Sequence, residues 1–322
     1  VYCELIEVVK KSPQRITPKC PYFGTCGGCD LQHMSYEDQL TFKQDSISNL
    51  LTLHHSPFTL HNIVPSPLPF NYRNRITLHS DGKKIGYYKP FSHEIVPIER
   101  CEIASDIVNH RLSTDLKTSG PRDLQTKQIE IREDDLSHFT QVNFSQNQNL
   151  IQTVLNYCSG QKWTSALELY CGAGNLTFAL SDVCKKIIAY DLDAEAIRLA
   201  NIERHTLKKM SVKFSATSAH DAVFKFVQDL EPFDLIVCDP PREGLKETAT
   251  VLPRLKPKQI VYVSCNPQTF VNDVIILERS GYTLTHVTPI DMFPQTYHVE
   301  VVGRLGVCRR NTKTTHFKSL RT

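Results

Sequence analysis

The spacing of apolar positions along this chain changes near residue 140. Upstream it is irregular and interrupted by Cys, Pro, Arg and aromatic residues; downstream, short apolar runs alternate with stretches of helical period. Residues 166–170, 186–190, Val212–Ala216, 234–238 and Gln259–Ser264 read as five strands. Residues 175–183, 194–208 and 267–280 read as helices. Strands alternating with helices imply right-handed crossovers and a mostly parallel sheet. Two last strands, 283–289 and 298–305, have little between them and predict an antiparallel strand at one edge. Upstream, Tyr36–Leu51 reads as a helix opening at Ser35, an acceptable N-cap. Residues 74–78, 84–88 and Gln128–Arg132 read as strands of a smaller sheet, and residues 1–9 as a lone strand.

Length and composition add bounds. A chain of 322 residues has room for two domains. With 40% hydrophobic and 22% charged residues it resembles an ordinary globular protein. No apolar run approaches the roughly 18 residues that span a bilayer, and the first residues lack a secretory layout. The expectation is a cytoplasmic protein, monomeric and with no membrane partner. The net charge of +3 excludes a polycationic coat. Charge is nevertheless concentrated: Arg73, Arg75, Lys83, Lys84, Lys89 and Arg100 are interleaved with Tyr72, Tyr87, Tyr88 and Phe91 against Asp81, Glu94 and Glu99. The tail after Cys308 carries Arg309, Arg310, Lys313, Lys318 and Arg321 without an acid. Cations for phosphates and rings for splayed bases suit an RNA surface, although a solvated face would read the same.

Candidate ligand-binding residues fall at the carboxyl ends of the predicted strands, where open α/β sheets bind ligands. Residues 169–175 (Leu-Tyr-Cys-Gly-Ala-Gly-Asn) form a strand-to-helix turn whose glycines admit a close ligand. The third glycine of the dinucleotide fingerprint is missing and Asn175 stands in the turn, which favours an adenosine ligand without a pyrophosphate, such as S-adenosylmethionine, over NAD. Asp191 ends the second strand, where a carboxylate suits ribose hydroxyls; Asp239 ends the fourth.

The reactive candidates lie further on. Cys265, in 262–267 (Tyr-Val-Ser-Cys-Asn-Pro), closes a buried strand before a helix whose N-terminus would favour a thiolate. Glu300 stands among Val299, Val301 and Val302, an expensive place for an acid unless it is paired or used. Cys171, Cys184 and Cys238 read as core packing. A cysteine nucleophile, a carboxylate base and an acid for a base edge are what methylation of uracil carbon 5 requires. Thiolate addition at carbon 6 makes carbon 5 nucleophilic, and a base then removes the carbon 5 proton.

The runs 169–175, 239–244 (Asp-Pro-Pro-Arg-Glu-Gly), 264–267 (Ser-Cys-Asn-Pro) and 298–300 (His-Val-Glu) closely resemble the RNA uracil-5-methyltransferase family. Its members modify 23S ribosomal RNA or the T-loop of transfer RNA. The resemblance implies a Rossmann-like class I methyltransferase core with a mostly parallel sheet, and a smaller N-terminal α+β domain that binds RNA and an iron–sulfur cluster. It implies S-adenosyl-L-methionine as cofactor, Cys265 as nucleophile and Glu300 as proton acceptor. Gln141, Tyr170, Asn175, Asp191 and Asp239 match the cofactor contacts, and Arg242 has a motif position without a derived role.

Cys20, Cys26 and Cys29 form C-x5-C-x2-C among glycines, and Cys101 is the best fourth ligand. Four thiolates suit zinc or an iron–sulfur cluster, and spacing does not choose. The resemblance implies [4Fe-4S], as in branches acting on ribosomal RNA. The expected organisation is then 1–19 as the last strand of an RNA-binding barrel, 20–139 as the iron–sulfur and RNA-binding domain, and 140–322 as the methyltransferase domain. A uridine of 23S ribosomal RNA is the leading substrate, with a transfer RNA T-loop uridine as alternative. Methylation of an exocyclic amine fits less well, because Arg242 stands where its motif has an aromatic and that chemistry needs no thiol. A non-catalytic iron–sulfur RNA-binding module would need neither Cys265 nor Glu300.

Overall fold

A segment apolar on both faces is stable as a strand only when both faces are covered. Two such segments, Leu235–Cys238 and Gln259–Ser264, lie side by side inside the larger sheet of the computed structural model, buried along their whole length. The structure describes residues 7–52, 57–118, 128–133 and 141–308.

In chain order, helix α1 (Tyr36–Leu51) starts at Ser35, whose Oγ accepts the Asp38 N–H at 3.1 Å. Strand β1 (Thr59–Leu60) follows. Strands β2 (Arg75–Ser80), β3 (Ile85–Tyr88), β4 (Ile95–Pro97) and β5 (Gln128–Arg132) make an antiparallel sheet in the order β4-β3-β2-β5. Helix α2 (Asp106–Thr118) covers it, Val108 and Leu112 packing with Ile76, Leu78 and Ile131.

Helix α3 (Phe144–Cys158) leads into β6 (Trp163–Leu169), α4 (Thr177–Leu180), β7 (Cys184–Asp191), α5 (Ala194–Thr206), β8 (Val212–Ala216) and α6 (Ala219–Gln228). Then come β9 (Leu235–Cys238), α7 (Thr248–Val251), β10 (Gln259–Ser264), α8 (Pro267–Arg279), β11 (Tyr282–Ile290) and β12 (Glu300–Val307). These strands and β1 form an eight-stranded sheet, β1-β11-β12-β10-β9-β6-β7-β8, with β12 antiparallel to both neighbours. Elements from upstream of residue 140 enter it: β1 pairs with β11, and Ile47 and Leu51 of α1 join the core on one sheet face.

Several expectations need correction. The antiparallel strand is interior, not at the edge. Val301 of β12 packs into the core on one face and Val302 into the core on the other, so β12 needs cover on both sides. The edge is taken by β1. The helix after the glycine turn shrinks to Thr177–Leu180, because Gly172 and Gly174 hold positive φ and delay helical entry. Residues 7–10 are irregular rather than a strand, and residues 1–6 lie outside those described, as does the basic tail 309–322. Tyr72 and Tyr87 are not RNA-stacking faces: Tyr72 is buried in the core of the small sheet and Tyr87 packs against it. Helices α2, α3 and α6 and strands β1 and β4 were not among the predicted elements. No helix among the described residues is long and apolar enough to cross a membrane.

Because β12 reverses inside the sheet, the loop 291–299 before it crosses the carboxyl edge, and buried polar bonds hold it there. Lys43 Nζ lies 2.5 Å from Asp291 Oδ1, both side chains 0% exposed, and also donates to the Phe293 carbonyl at 3.0 Å. Tyr36 Oη donates to Asp291 Oδ2 at 2.8 Å. Gln295, at φ 69°, exchanges two bonds with the Gln39 amide at 3.0 Å each, and its carbonyl accepts from Asp30 N and Leu31 N. Removing one member of a buried pair strands the other charge. Lys43→Ala is expected to cost about 3–5 kcal/mol of unfolding free energy in urea titration, with much of it recovered in Lys43→Met/Asp291→Leu. A single variant unfolding at the wild-type midpoint would contradict the role given to this pair.

Candidate active site

Sheet register brings the chemistry together. Leu169 stands opposite both Tyr190 and Cys238, and Cys238 opposite Tyr262, so β6, β7, β9 and β10 end near one level. Tyr170, Asp191 and Asp239 leave the sheet there. On the antiparallel side Ser264 pairs with Val301, which sets Cys265, one residue on, beside Glu300, one residue back. A cleft of about 820 Å³ is lined by Gln141, Tyr170, Asp191, Asp239, Cys265 and Glu300, with Arg242 and Phe293. Asn175 is not in its wall; its amide exchanges two bonds with the Asn147 amide at 2.8 and 3.0 Å.

The glycine turn is built around Asp191. Its carboxylate accepts Gly172 N–H at 2.8 Å and Asp193 N–H at 2.9 Å, which orients it with lone pairs still toward the cleft. The sequence reading missed the far wall, where Ser218 and His220 stand after β8. The signal was present: Ser218 caps α6, whose Ala222, Val223 and Phe226 are buried at helical spacing.

The loop carrying Asp239 and Arg242 is fastened to α8. Asp273 Oδ2 accepts from Leu245 N at 2.8 Å and from Tyr262 Oη at 2.6 Å. Gly244 makes room for this: at φ +76° a Cβ there would lie 2.5 Å from the same oxygen. The Arg242 carbonyl accepts from Asn266 Nδ2 at 3.0 Å and Thr269 Oγ1 at 3.2 Å. Asn266 caps α8 one residue after Cys265, so the loop and the thiol share one support.

Burial dominates the electrostatics. Glu300 is 5% exposed with Oε2 unpartnered, and burial, then Asp239, pushes its carboxyl well above the usual range. Asp239 is raised in the same way by burial and Asp191. Glu168, beneath the turn, is pushed up to about 8, first by burial. Cys265 corrects an expectation: its thiol is raised, not lowered, because burial and the Glu300 and Asp239 carboxylates outweigh Arg242. His298 is lowered to about 4, by burial and then Arg242, and is neutral at pH 7. An Arg only donates, so Arg242 Nη2 donates to His298 Nε2 at 3.4 Å and the imidazole proton sits on Nδ1.

Away from the cleft, Cys20, Cys26, Cys29 and Cys101 line one cavity with Tyr22, Phe23 and Tyr87. Burial pushes Cys26 up to about 11 and Cys29 up to about 12, with the neighbouring thiols adding to it. Among the described residues no three His, Cys, Asp or Glu side chains are arranged to hold one metal ion. Cys171, Cys184 and Cys238 are buried packing residues, as expected.

Comparison with known proteins places this architecture. Residues 114–306 match the family model described as tRNA (Uracil-5-)-methyltransferase. An uncharacterized RNA methyltransferase of Nitrosomonas europaea is 31% identical, covering 97% of this chain and 85% of the relative. One of Aquifex aeolicus is 28% identical over 94% of this chain and 86% of its own length. The crystal structure of Pyrococcus abyssi tRNA (uracil-54, C5)-methyltransferase with S-adenosyl-L-homocysteine superposes with a TM-score of 0.69 at 24% identity, covering 93% of this chain and 88% of that one. It shares the class I, Rossmann-like α/β fold. On its motifs, its fold and these matches, the chain belongs to the tRNA (uracil-5-)-methyltransferase family of S-adenosylmethionine-dependent RNA methyltransferases.

Proposed function

We propose that this protein methylates carbon 5 of a uridine in 23S ribosomal RNA, with Cys265 as covalent nucleophile and Glu300 as the base. The register that sets Cys265 beside Glu300, in a cleft shared with Asp239, carries this reading. Gln141, Tyr170 and Asp191 would hold S-adenosylmethionine, which supplies an electrophilic methyl group and leaves as S-adenosylhomocysteine. The Cys265 thiol loses its proton to solvent through the open cleft, with Arg242 offsetting the new charge, and the sulfur bonds to carbon 6. Asp239, kept prone to protonation by burial, donates to the enolate oxygen at carbon 4. Carbon 5 takes the methyl group. Glu300, made more basic by burial, removes the carbon 5 proton, and the electron pair expels Cys265 as thiolate. The sum is uridine plus S-adenosylmethionine giving 5-methyluridine, S-adenosylhomocysteine and a proton.

The gathering of Cys20, Cys26, Cys29 and Cys101 supports a [4Fe-4S] cluster as a structural group, and this favours ribosomal RNA. Its chain segment continues into Asp30 and Leu31, whose N–H groups donate to Gln295 in the loop before Glu300. A second reading is a uridine of transfer RNA, favoured by the substrate of the Pyrococcus abyssi neighbour. Nucleoside mass spectrometry of separately purified ribosomal and transfer RNA from a strain lacking the protein decides between them.

Cys265→Ala is expected to abolish methyl transfer while S-adenosylhomocysteine still binds; turnover near wild type would remove the covalent route. Glu300→Gln should leave a protein–RNA adduct that survives a denaturing gel, and finding only free RNA would count against its role. Anaerobically purified protein should carry about four irons with visible absorbance near 400 nm, lost in Cys101→Ser. Iron-free protein after cluster reconstitution would remove the cluster.

A further inference from the structure

The catalytic cleft is not alone in reaching Cys265. A groove of about 440 Å³ meets it there: Arg242 and Cys265 line both. From that point the groove runs between α1 and the loop before β12, past Phe42, Leu50, Gln268 and Tyr297. A further depression of about 580 Å³ shares Phe42 as a wall and carries Lys10, Arg15 and His33. The three cavities therefore adjoin in series, leading outward from the thiol.

Two aromatic rings stand in this furrow with much of their surface uncovered. Phe42 is 43% exposed and Tyr297 58%. The buried stripe of α1 is Gln39, Lys43, Ile47 and Leu51, so the fold does not need the Phe42 ring in its core. The Tyr297 backbone is held by Asp30, whose Oδ2 accepts its N–H at 3.4 Å, and the ring lies 4.3 Å from the His298 imidazole. Exposed aromatic faces with a cation beside them, here Arg242, are elements that bind single-stranded nucleic acid. A uridine whose carbon 6 meets Cys265 must leave its stack and enter the cleft, while its chain neighbours stay outside. The groove opens at the thiol, where those neighbours leave the cleft.

We propose that the furrow is a second nucleotide subsite, in which the base of a nucleotide adjoining the target uridine stacks on Phe42 and Tyr297. Arg242 lies between the two bases, and the backbone continues toward Lys10 and Arg15. Asp38 and Asp45 also line the outer depression, beside Lys10 and Arg15. The subsite rests on the uridine reading of the cleft, and it demands an unpaired base, since a duplex offers no free stacking face.

The test uses full-length protein and a fluorescein-labelled nonauridylate RNA. Phe42→Ala and Tyr297→Ala should each raise its Kd roughly five- to a hundredfold. Tyr297→Phe should bind like wild type, because stacking needs the ring and not the hydroxyl. Affinity for S-adenosylhomocysteine should stay unchanged in all three, which also reports that they fold. Alanine variants within twofold of wild type would overturn the subsite, as would wild type binding no better than the double alanine variant. The same oligomer with a central 5-fluorouridine, incubated with S-adenosylmethionine, separates the two ideas, since after methyl transfer the base cannot remove fluorine and the Cys265 adduct is trapped. An adduct without alanine sensitivity removes the subsite alone. Alanine sensitivity without an adduct supports the subsite and removes the uridine chemistry.

Discussion

Placing β12 antiparallel between two strands puts a carboxylate next to a thiol, and it requires the loop 291–299 to cross the carboxyl edge of the sheet. That loop is short of regular structure, so side-chain and backbone polar groups must hold it. The fully buried Lys43–Asp291 pair and the reciprocal Gln39–Gln295 bonds do this, and all four partners are hydrogen-bonded rather than merely buried. A buried pair is costly to desolvate and is weak evidence for net stability. Its value here is positional: it fixes where β12 starts, and thereby where Glu300 stands relative to Cys265.

The same support ties together parts of the chain that are far apart in sequence. Helix α1 supplies Gln39 and Lys43, the cysteine-bearing segment supplies Asp30 and Leu31, and Tyr72 Oη donates to the Pro294 carbonyl at 3.1 Å. The small sheet and the cysteine cavity are thus bonded to the loop that delivers the proposed base. On the other side, Asp273 fastens the Asp239–Arg242 loop to the helix that follows Cys265. The cleft is framed by two polar anchors, one on each flank of the thiol.

Much of this was legible in the sequence. Strands β8, β10 and β5 and helix α1 appear with their predicted bounds, because apolar runs with clear turn signals leave little choice. Cys265, Asp239 and Asp191, read from strand ends, line one cleft with Glu300 and with Tyr170 and Gln141, which the resemblance supplied. What failed depended on tertiary context. The interior position of β12 follows from Val301 and Val302 packing on opposite faces, which periodicity alone does not reveal. Helix α3 buries Leu150, Val154, Tyr157 and Cys158, but its first buried positions are the polar Gln146 and Asn147, which mask the start of the stripe. The direction of the Cys265 shift turned on burial first and then on two carboxylates brought near by register, against a helix start that suggested the opposite. Tyr72 and Tyr87 illustrate the converse error, since aromatic spacing does not distinguish a stacking face from a small core.

The central claim is substitution at uracil carbon 5 with loss of its proton to Glu300. It is tested most directly with RNA carrying tritium at carbon 5 of its uridines, by counting tritium released to water against methyl groups transferred. The account predicts one tritium released for each methyl group gained, with both lost together in the absence of Cys265. Methyl transfer that leaves the tritium on the RNA would contradict it.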